Sequence, residues 1–336
     1  MWVASAMVLC ASLAAVVKIT TFLSFAAAAA GMVGFDLVAG DHWRDRRRWL
    51  ERYLPILAAG AVAAIALSVW THHADAVKAD QPFGRSLQSS ALTRWVYGTV
   101  EQRLSLTFWQ DVVFGRALRW SLGGVLPLAA ALVVACLFGR TALAWAGALL
   151  ALYLLPFLVF TNLHLVHVYY QYANGLFAIG AVVMVAWQGR DGWQRWVGAA
   201  LIALLVASQS WELASTVWPD MTSSRRDSRT MQLSAALADL PADGVLLIAG
   251  YDWSPELPYY TRRRALMVPD GWSTAEQIET LRTRMPTLTE GRPVVAVVEC
   301  PNRLRQRRIG PAVDALLNEQ TRGRTLSMMA DCSVWR

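Results

Sequence analysis

The sequence has little charge and almost no lysine. Only 16% of its 336 residues are Asp, Glu, Lys or Arg, whereas soluble domains carry about 25%. Lys18 and Lys78 are the only lysines, and long uncharged runs fill the chain up to about residue 212. The net charge of +7 lies in loops and in a mixed-charge tail, without a basic helix or a basic–aromatic sheet pattern. We therefore expect no nucleic-acid partner.

The apolar runs predict a multi-pass α-helical membrane bundle of about seven spans. A bilayer core of about 30 Å requires roughly 20 apolar residues in a helix. The candidates are Trp2–Val17, Thr21–Val38, Leu54–Trp70, Ser121–Phe138, Thr141–Phe160, Val166–Gln188 and Trp196–Trp211. We predict a transmembrane domain over residues 1–212 with an outer loop at 71–120, followed by a small extracytoplasmic α/β domain over residues 213–336.

The positive charges of the short loops predict the orientation. Arginines are concentrated in Gly40–Tyr53 and recur at Arg140, Arg190 and Arg195, whereas Thr161–Asn174 contains neither arginine nor lysine. This asymmetry places Gly40–Tyr53 in the cytoplasm, and the 71–120 loop, Thr161–Asn174 and the C-terminal domain outside. We therefore expect a bacterial cytoplasmic (inner) membrane protein whose C-terminal domain is extracytoplasmic.

The tail after Pro219 has the alternating pattern of an α/β domain. Short apolar runs predict strands at Val245–Ala249, Ala265–Val268 and Val294–Glu299, with closing strands at Thr325–Met329 and Cys332–Trp335. Helical spacing occurs in Met231–Leu240, Thr274–Arg284 and Pro311–Gln320, the second preceded by a capping box that begins at Ser273. This alternation favours a partly parallel sheet.

The sequence contains few residues that indicate a cofactor. The four cysteines have no Cys/His spacing typical of zinc, and the bulky Tyr251–Trp253 after Gly250 is not a phosphate-binding loop. Cys300 and Cys332 end predicted strands in the predicted exported domain, where they either form a disulfide or remain two thiols. We expect no cofactor and leave a divalent metal undecided.

Two features at predicted membrane boundaries are candidates for ligand binding. Lys18 is the only lysine in a membrane segment, where an ionisable side chain either has a function or snorkels to the interface. The outer loop 162–172 contains His164, His167 and the tyrosines Tyr169, Tyr170 and Tyr172. An aromatic belt would explain the tyrosines, but the histidines favour a surface that contacts a polar head group. His164 and His167 would share one face of a helix.

Two longer segments leave alternatives open. The 71–120 loop is too long for a plain connector. Its apolar residues fit either a helix lying on the membrane surface or a structural helix capping the bundle; they are Phe108, Trp109, Val112, Val113, Leu118 and Trp120. The segment 251–264 follows a strand and contains the acids Asp252 and Glu256, so it fits either a binding loop or a rigid turn.

Three segments together resemble the C-terminal portion of bacterial GT-C integral-membrane glycosyltransferases, the group related to protein O-mannosyltransferases and lipid A aminoarabinose transferases. Leu13–Thr21 (LAAVVKITT) resembles the apolar helix of that group that ends in lysine. His167–Tyr170 (HVYY) is similar to its His-x-Tyr-Tyr outer loop, and Asp252–Arg263 (DWSPELPYYTRR) to the start of its exported domain in one bacterial branch.

The resemblance implies transfer of a sugar from a polyprenyl-phosphate donor at the outer face, with membrane lipid as a partner and no nucleotide cofactor. Such a transfer needs a carboxylate base and groups that hold the departing phosphate. The substrate-binding candidates are Lys18, Arg103, His164, His167, Tyr169 and Tyr170.

The catalytic aspartate of that group precedes the lysine-containing helix, and no segment here corresponds to it. We assign no catalytic residue, and not Asp75, Asp80, Asp111 or Asp252. We expect a protein that is incomplete alone or is completed by a partner supplying the N-terminal half. The alternatives are a non-catalytic membrane scaffold or lipid-binding subunit and a transporter. A carboxylate near Lys18 would favour the transferase over the scaffold.

Overall fold

The computed structural model describes residues 2–39, 46–80, 82–189, 191–269, 272, 274–301 and 311–336. The chain divides into two compact units, Met1–Met221 and Thr222–Arg336. This division lies nine residues beyond the boundary predicted after residue 212, because the last long helix continues past the apolar run.

The first unit is built entirely from helices over its described residues. Its longest members are the apolar helices that the hydropathy pattern predicts, and shorter helices fill the region 82–122. They are α1 (Trp2–Val17), α2 (Ile19–Ala39), α3 (Arg46–Ala79), α4 (Pro82–Arg85), α5 (Ser89–Tyr97), α6 (Val100–Leu104), a π-helical segment (Phe108–Ala117), α7 (Leu118–Leu122), α8 (Leu126–Phe138), α9 (Arg140–Val159), α10 (Thr161–Val166), α11 (Gly175–Gln188), α12 (Gly192–Glu212), a second π-helical segment (Leu213–Val217) and α13 (Trp218–Thr222).

Four of these helical stretches are long and apolar enough to cross a membrane, fewer than the seven spans predicted. They are Ile19–Val38, Trp49–Ala79, Arg140–Val159 and Gly192–Thr222. The first and sixth predicted spans are the shorter apolar helices Ala4–Val17 and Gly175–Gln188. At about 1.5 Å per residue, a 14-residue helix reaches only about 21 Å, short of the hydrocarbon core.

The fourth predicted span is broken near its start. Phe108–Leu122 and Leu126–Phe138 meet at 85°, and they make a fifth span only if the bent pair counts as one. Gly123 lies at the bend with φ 76°, and a Cβ there would lie 2.2 Å from the backbone of Ser208. The bend therefore requires glycine both for its conformation and for the close approach of α12.

The apolar face predicted for the 71–120 loop packs into the helical core. Phe108, Val112, Val113 and Leu118 are buried there, and Trp109 packs against the same core. The prediction of a helix resting on the membrane surface is therefore wrong for these side chains, and the capping alternative fits. The first part of the predicted loop is also helical, because α3 continues to Ala79.

The second unit is a small α/β domain with a five-stranded mixed sheet, as predicted. The strands are β1 (Val245–Ala249), β2 (Arg264–Val268), β3 (Val294–Glu299), β4 (Leu326–Met329) and β5 (Cys332–Trp335), in the order β2-β1-β3-β5-β4. β1 pairs in parallel with β2 and β3, and β5 pairs antiparallel with β3 and β4. The helices are α14 (Arg229–Ala236), α15 (Glu256–Thr261), α16 (Ala275–Leu288) and α17 (Pro311–Gln320).

Local signals fix several details of this domain. β1 is buried along its whole length, which explains its uninterrupted apolar sequence. The capping box of α16 begins at Thr274, whose side chain accepts from the Gln277 backbone, and not at Ser273, which lies outside the described residues. Cys300 and Cys332 form a disulfide, the first of the two alternatives considered for them.

Candidate functional site

Lys18 lies at the junction of α1 and α2, where the chain leaves helical geometry for a single residue. Its ammonium nitrogen is 4.3 Å from the ring centroid of Tyr170 and 5.0 Å from that of Tyr169. Both distances fall within the range of cation–π attraction. The ammonium forms no ion pair or hydrogen bond with any side chain in the described ranges.

The tyrosines and His167 form one aromatic group beneath this cation. The rings of Tyr169 and Tyr170 stack at 4.9 Å, and His167 lies 5.3 Å from the first and 5.5 Å from the second. Trp95, on α5, packs edge-on against His167 at 5.4 Å. We call Lys18, His167, Tyr169 and Tyr170 the lysine–tyrosine cluster. Four residues predicted from two distant segments are thus in contact.

His164 differs from His167 in its surroundings. The helix α10 ends at Val166 and His167 has extended backbone, so the two histidines do not share a helix face as predicted. His164 is fully buried, with its ring 4.3 Å from Phe157 and 6.2 Å from Tyr170. Tyr172 does not join the cluster but stacks on Trp120 at 5.4 Å.

The surroundings of both histidines favour the neutral imidazole. Burial, together with the charges of Arg116 and Lys18, lowers the pKa of His164 to about 3. Burial and the charge of Lys18 also lower the pKa of His167 below its ordinary value. The imidazoles can therefore exchange hydrogen bonds with a ligand, but the positive charge of the cluster comes from Lys18.

Two arginines stabilise the surrounding backbone. Arg103, predicted to bind substrate, donates from Nε to the carbonyl of Leu158 and from Nη2 to that of Tyr97, both at 2.7 Å. It thereby joins α6 to the end of α9 and has no contact with the cluster. Arg116, which the sequence analysis did not select, donates to the carbonyl of His164.

Three polar side chains, those of His164, Gln171 and Asn174, are buried without a protein partner among the described residues. Neither ring nitrogen of His164 and neither polar atom of Gln171 or Asn174 is hydrogen-bonded to a described residue. All three side chains are fully buried. A buried polar group without a partner costs roughly 1–3 kcal/mol. This cost favours their solvation by water or by a polar ligand group.

No carboxylate accompanies the cluster within the described residues. No hydrogen bond or ion pair joins an acid to Lys18, His164 or His167, and no carboxylate contributes to the pKa of either histidine. Acids elsewhere in this unit have other partners: Asp75 contacts Lys78 at 3.6 Å and Glu212 contacts Arg119 at 2.7 Å. The ammonium of Lys18 and the hydrogen-bond donors beside it suit the cluster to bind an anion.

The two acids singled out in the C-terminal tail belong to the second unit. Glu256 accepts a hydrogen bond from Thr230 at 3.2 Å, and Asp252 has a positive φ of 49° in the turn after β1. Among the residues with described positions, no group of three or more His, Cys, Asp or Glu side chains is arranged to hold a metal ion.

Comparisons with family models, with curated proteins and with solved structures find no match for this chain.

Proposed function

We propose that the Met1–Met221 unit binds the phosphate of a membrane lipid at the lysine–tyrosine cluster. One observation carries this proposal: the ammonium of Lys18 stands over two stacked tyrosine rings, and no described carboxylate pairs with it. An ionisable side chain without a partner at membrane level is costly, and an anionic ligand would remove that cost.

Phosphate is the anion that fits these surroundings best. Both flanking helices are apolar and the second, Ile19–Val38, is long enough to cross a membrane, so the ligands at hand are lipids, whose commonest anionic group is phosphate. Besides the ammonium of Lys18, the cluster contains the tyrosine hydroxyls and the neutral His167, which are hydrogen-bond donors for phosphate oxygens. On the resemblance to GT-C glycosyltransferases, we propose a polyprenyl-phosphate-linked sugar as the specific ligand.

Sugar transfer from this lipid is the second candidate function. The resemblance in Leu13–Thr21 and His167–Tyr170 favours it, because these segments meet in one cluster. Inverting transfer also requires a carboxylate that deprotonates the acceptor. No described carboxylate is hydrogen-bonded or ion-paired to Lys18, so we propose lipid binding without turnover as the function of this site by itself. In the transferase alternative, a partner protein supplies the base.

The arginine-rich Gly40–Tyr53 segment supports a cytoplasmic position for that loop, and hence an outward-facing lysine–tyrosine cluster. We accordingly propose that the lipid is bound at the outer face of a bacterial inner membrane, with the C-terminal unit also outside.

Binding of a polyprenyl phosphate to the chain in nanodiscs tests the proposal, because the two lysines provide a matched pair. Lys18→Met removes the cation of the cluster, whereas Lys78→Met removes one that is 3.6 Å from Asp75. A charged hydrogen bond contributes about 1.5–3 kcal/mol, so Lys18→Met should weaken binding about 10- to 100-fold. Lys78→Met should bind like the parent protein.

Lys18→Arg serves as a folding control, because it keeps the positive charge and should retain most of the affinity. Equal affinities for Lys18→Met and Lys78→Met would refute the assignment. In the same nanodiscs, release of sugar from a labelled polyprenyl-phosphate sugar would identify the transferase alternative. Binding without release would leave lipid binding as the function.

A further inference from the structure

The second unit carries an exposed aromatic and basic surface that the proposed lipid site does not involve. It is formed by α15 and the turn that follows. Leu257 and Thr261, four residues apart, are buried on the inner side of the helix. Tyr259 is 74% exposed and Tyr260 is 43% exposed on its other side. Because the inner side of the helix is buried, the side chains of the two tyrosines face solvent.

Arg262 ends this helix in an unfavourable backbone conformation. Its φ of 52° and ψ of 39° lie in the left-handed region, where glycine is the usual residue after a helix. Its side chain is exposed and forms no ion pair or hydrogen bond with any residue the structure describes. The positive charge of Arg262 is thus exposed at a position where glycine would adopt the same backbone conformation at a lower free-energy cost.

The neighbouring charges leave the surface positive. Arg263 donates to backbone carbonyls, including that of Ala238 at 2.9 Å, and so braces the turn from behind. Glu290 is contacted by both Arg264 and Arg292, so one carboxylate balances two guanidinium groups. Arg262 and Arg263 bring the number of guanidinium groups in this region to four. The tyrosines and Arg262–Arg264 line an open groove of about 800 Å³.

We propose that Tyr259, Tyr260 and Arg262, which we call the tyrosine–arginine surface, dock the second unit onto the anionic headgroups of a lipid bilayer. Tyrosine and arginine are suited to this boundary, because the ring enters the interface while the guanidinium binds lipid phosphate.

Chain connectivity favours a bilayer over a protein partner. The second unit follows Gly192–Thr222, one of the four helical stretches able to cross a membrane. A domain tethered to a membrane segment meets lipid headgroups at a high effective concentration, whereas a separate protein must be recruited from solution. The excess of arginine matches the charge of anionic lipid.

Photocrosslinking of the full-length chain in vesicles tests the docking. Tyr259→p-benzoylphenylalanine keeps an aromatic side chain at an exposed position and reacts with groups in contact. Met328→p-benzoylphenylalanine is the matched control, because Met328 is 64% exposed on β4, outside the proposed surface. Lipid adducts are quantified by mass spectrometry in vesicles that contain either phosphatidylglycerol with phosphatidylcholine or phosphatidylcholine alone.

We expect lipid adducts at position 259 in the anionic vesicles and few at position 328. Adding Arg262→Gly should reduce the adducts at 259 about fivefold, the effect of one basic residue near an anionic surface. Glycine relieves the left-handed backbone, so this loss is not explained by misfolding. Equal lipid adducts at 259 and 328, no lipid adducts at 259, or adducts to protein alone would overturn the proposal. None of these outcomes bears on the lysine–tyrosine cluster.

Discussion

Reduction of the Cys300–Cys332 disulfide should destabilise the second unit substantially. The bridge joins the residue after β3 to the first residue of β5, across a sequence separation of 32. In the chain-entropy account, closing a loop of that length stabilises the fold by about 3.7 kcal/mol. The unit of about 115 residues unfolds with an entropy of roughly 240 cal/mol/K, so its melting temperature should fall by about 15 °C.

Thermal proteolysis of the detergent-solubilised chain, with mass spectrometry of the fragments, follows the second unit separately from the helices. The midpoint for peptides from residues 222–336 is compared with and without reductant, and with Cys300→Ala combined with Cys332→Ala. Cys10→Ala with Cys136→Ala is the control, because these free cysteines lie in the first unit. An unchanged midpoint on reduction would show that the bridge contributes no stability, contrary to the loop-closure argument.

Three further substitutions probe other parts of the fold. Gly250→Ala places a Cβ 1.8 Å from the carbonyl oxygen of Cys300 at a φ of 86°, and should destabilise the second unit by more than about 4 kcal/mol in the same proteolysis assay. Arg119→Met leaves the buried Glu212 without its cation and should cost about 1–3 kcal/mol in thermal unfolding; the further change Glu212→Met should restore much of this. Folding lowers the pKa of His164 from 6.5 to about 3. The unfolded chain therefore binds a proton at this histidine before the folded chain does, and the free energy of unfolding falls as pH falls from 6.5 toward 3. Between pH 7 and pH 5 the parent chain should therefore lose about 2 kcal/mol more than His164→Gln, and equal losses would contradict this.

The second unit shows how much local sequence patterns can predict. The strands could be predicted from short apolar runs such as Val245–Ala249, because the buried centre of the sheet contains few polar side chains. Thr274 and Ser273 illustrate the limit. Both are good caps, and only the folded backbone decides which hydroxyl meets Gln277.

The first unit shows where hydropathy fails. An apolar run indicates that a segment is shielded from water, but it does not show whether the segment is surrounded by lipid or by the protein core. Hydropathy therefore left both a membrane surface and the bundle open for Phe108 and Val113, which pack inside the bundle. The run Val166–Gln188 is likewise interrupted by a turn that ends at Asn174, and the Asn174-Gly175 pair is the local signal of this turn that hydropathy does not register.

The candidate site was partly predictable from single residues. Lys18 is a candidate from sequence because a lysine is costly at membrane level, and the tyrosines are candidates because they cluster in one loop. That these two segments meet depends on the packing of distant helices, which no local signal encodes. The same packing shows that Arg103 stabilises backbone carbonyls and that His164 is buried.

Nuclear magnetic resonance of the two lysines tests the lipid-phosphate site most directly. Reductive ¹³C-methylation labels Lys18 and Lys78 and keeps their charge, and Lys18→Arg assigns the signals. Without ligand, the Lys18 methyl signals should already be shifted by the tyrosine rings at 4.3 Å and 5.0 Å. Adding a polyprenyl phosphate in nanodiscs should then move the Lys18 signals and leave those of Lys78 in place. If the Lys18 signals do not respond, or if both lysines respond equally, the lysine–tyrosine cluster is not a lipid-phosphate site.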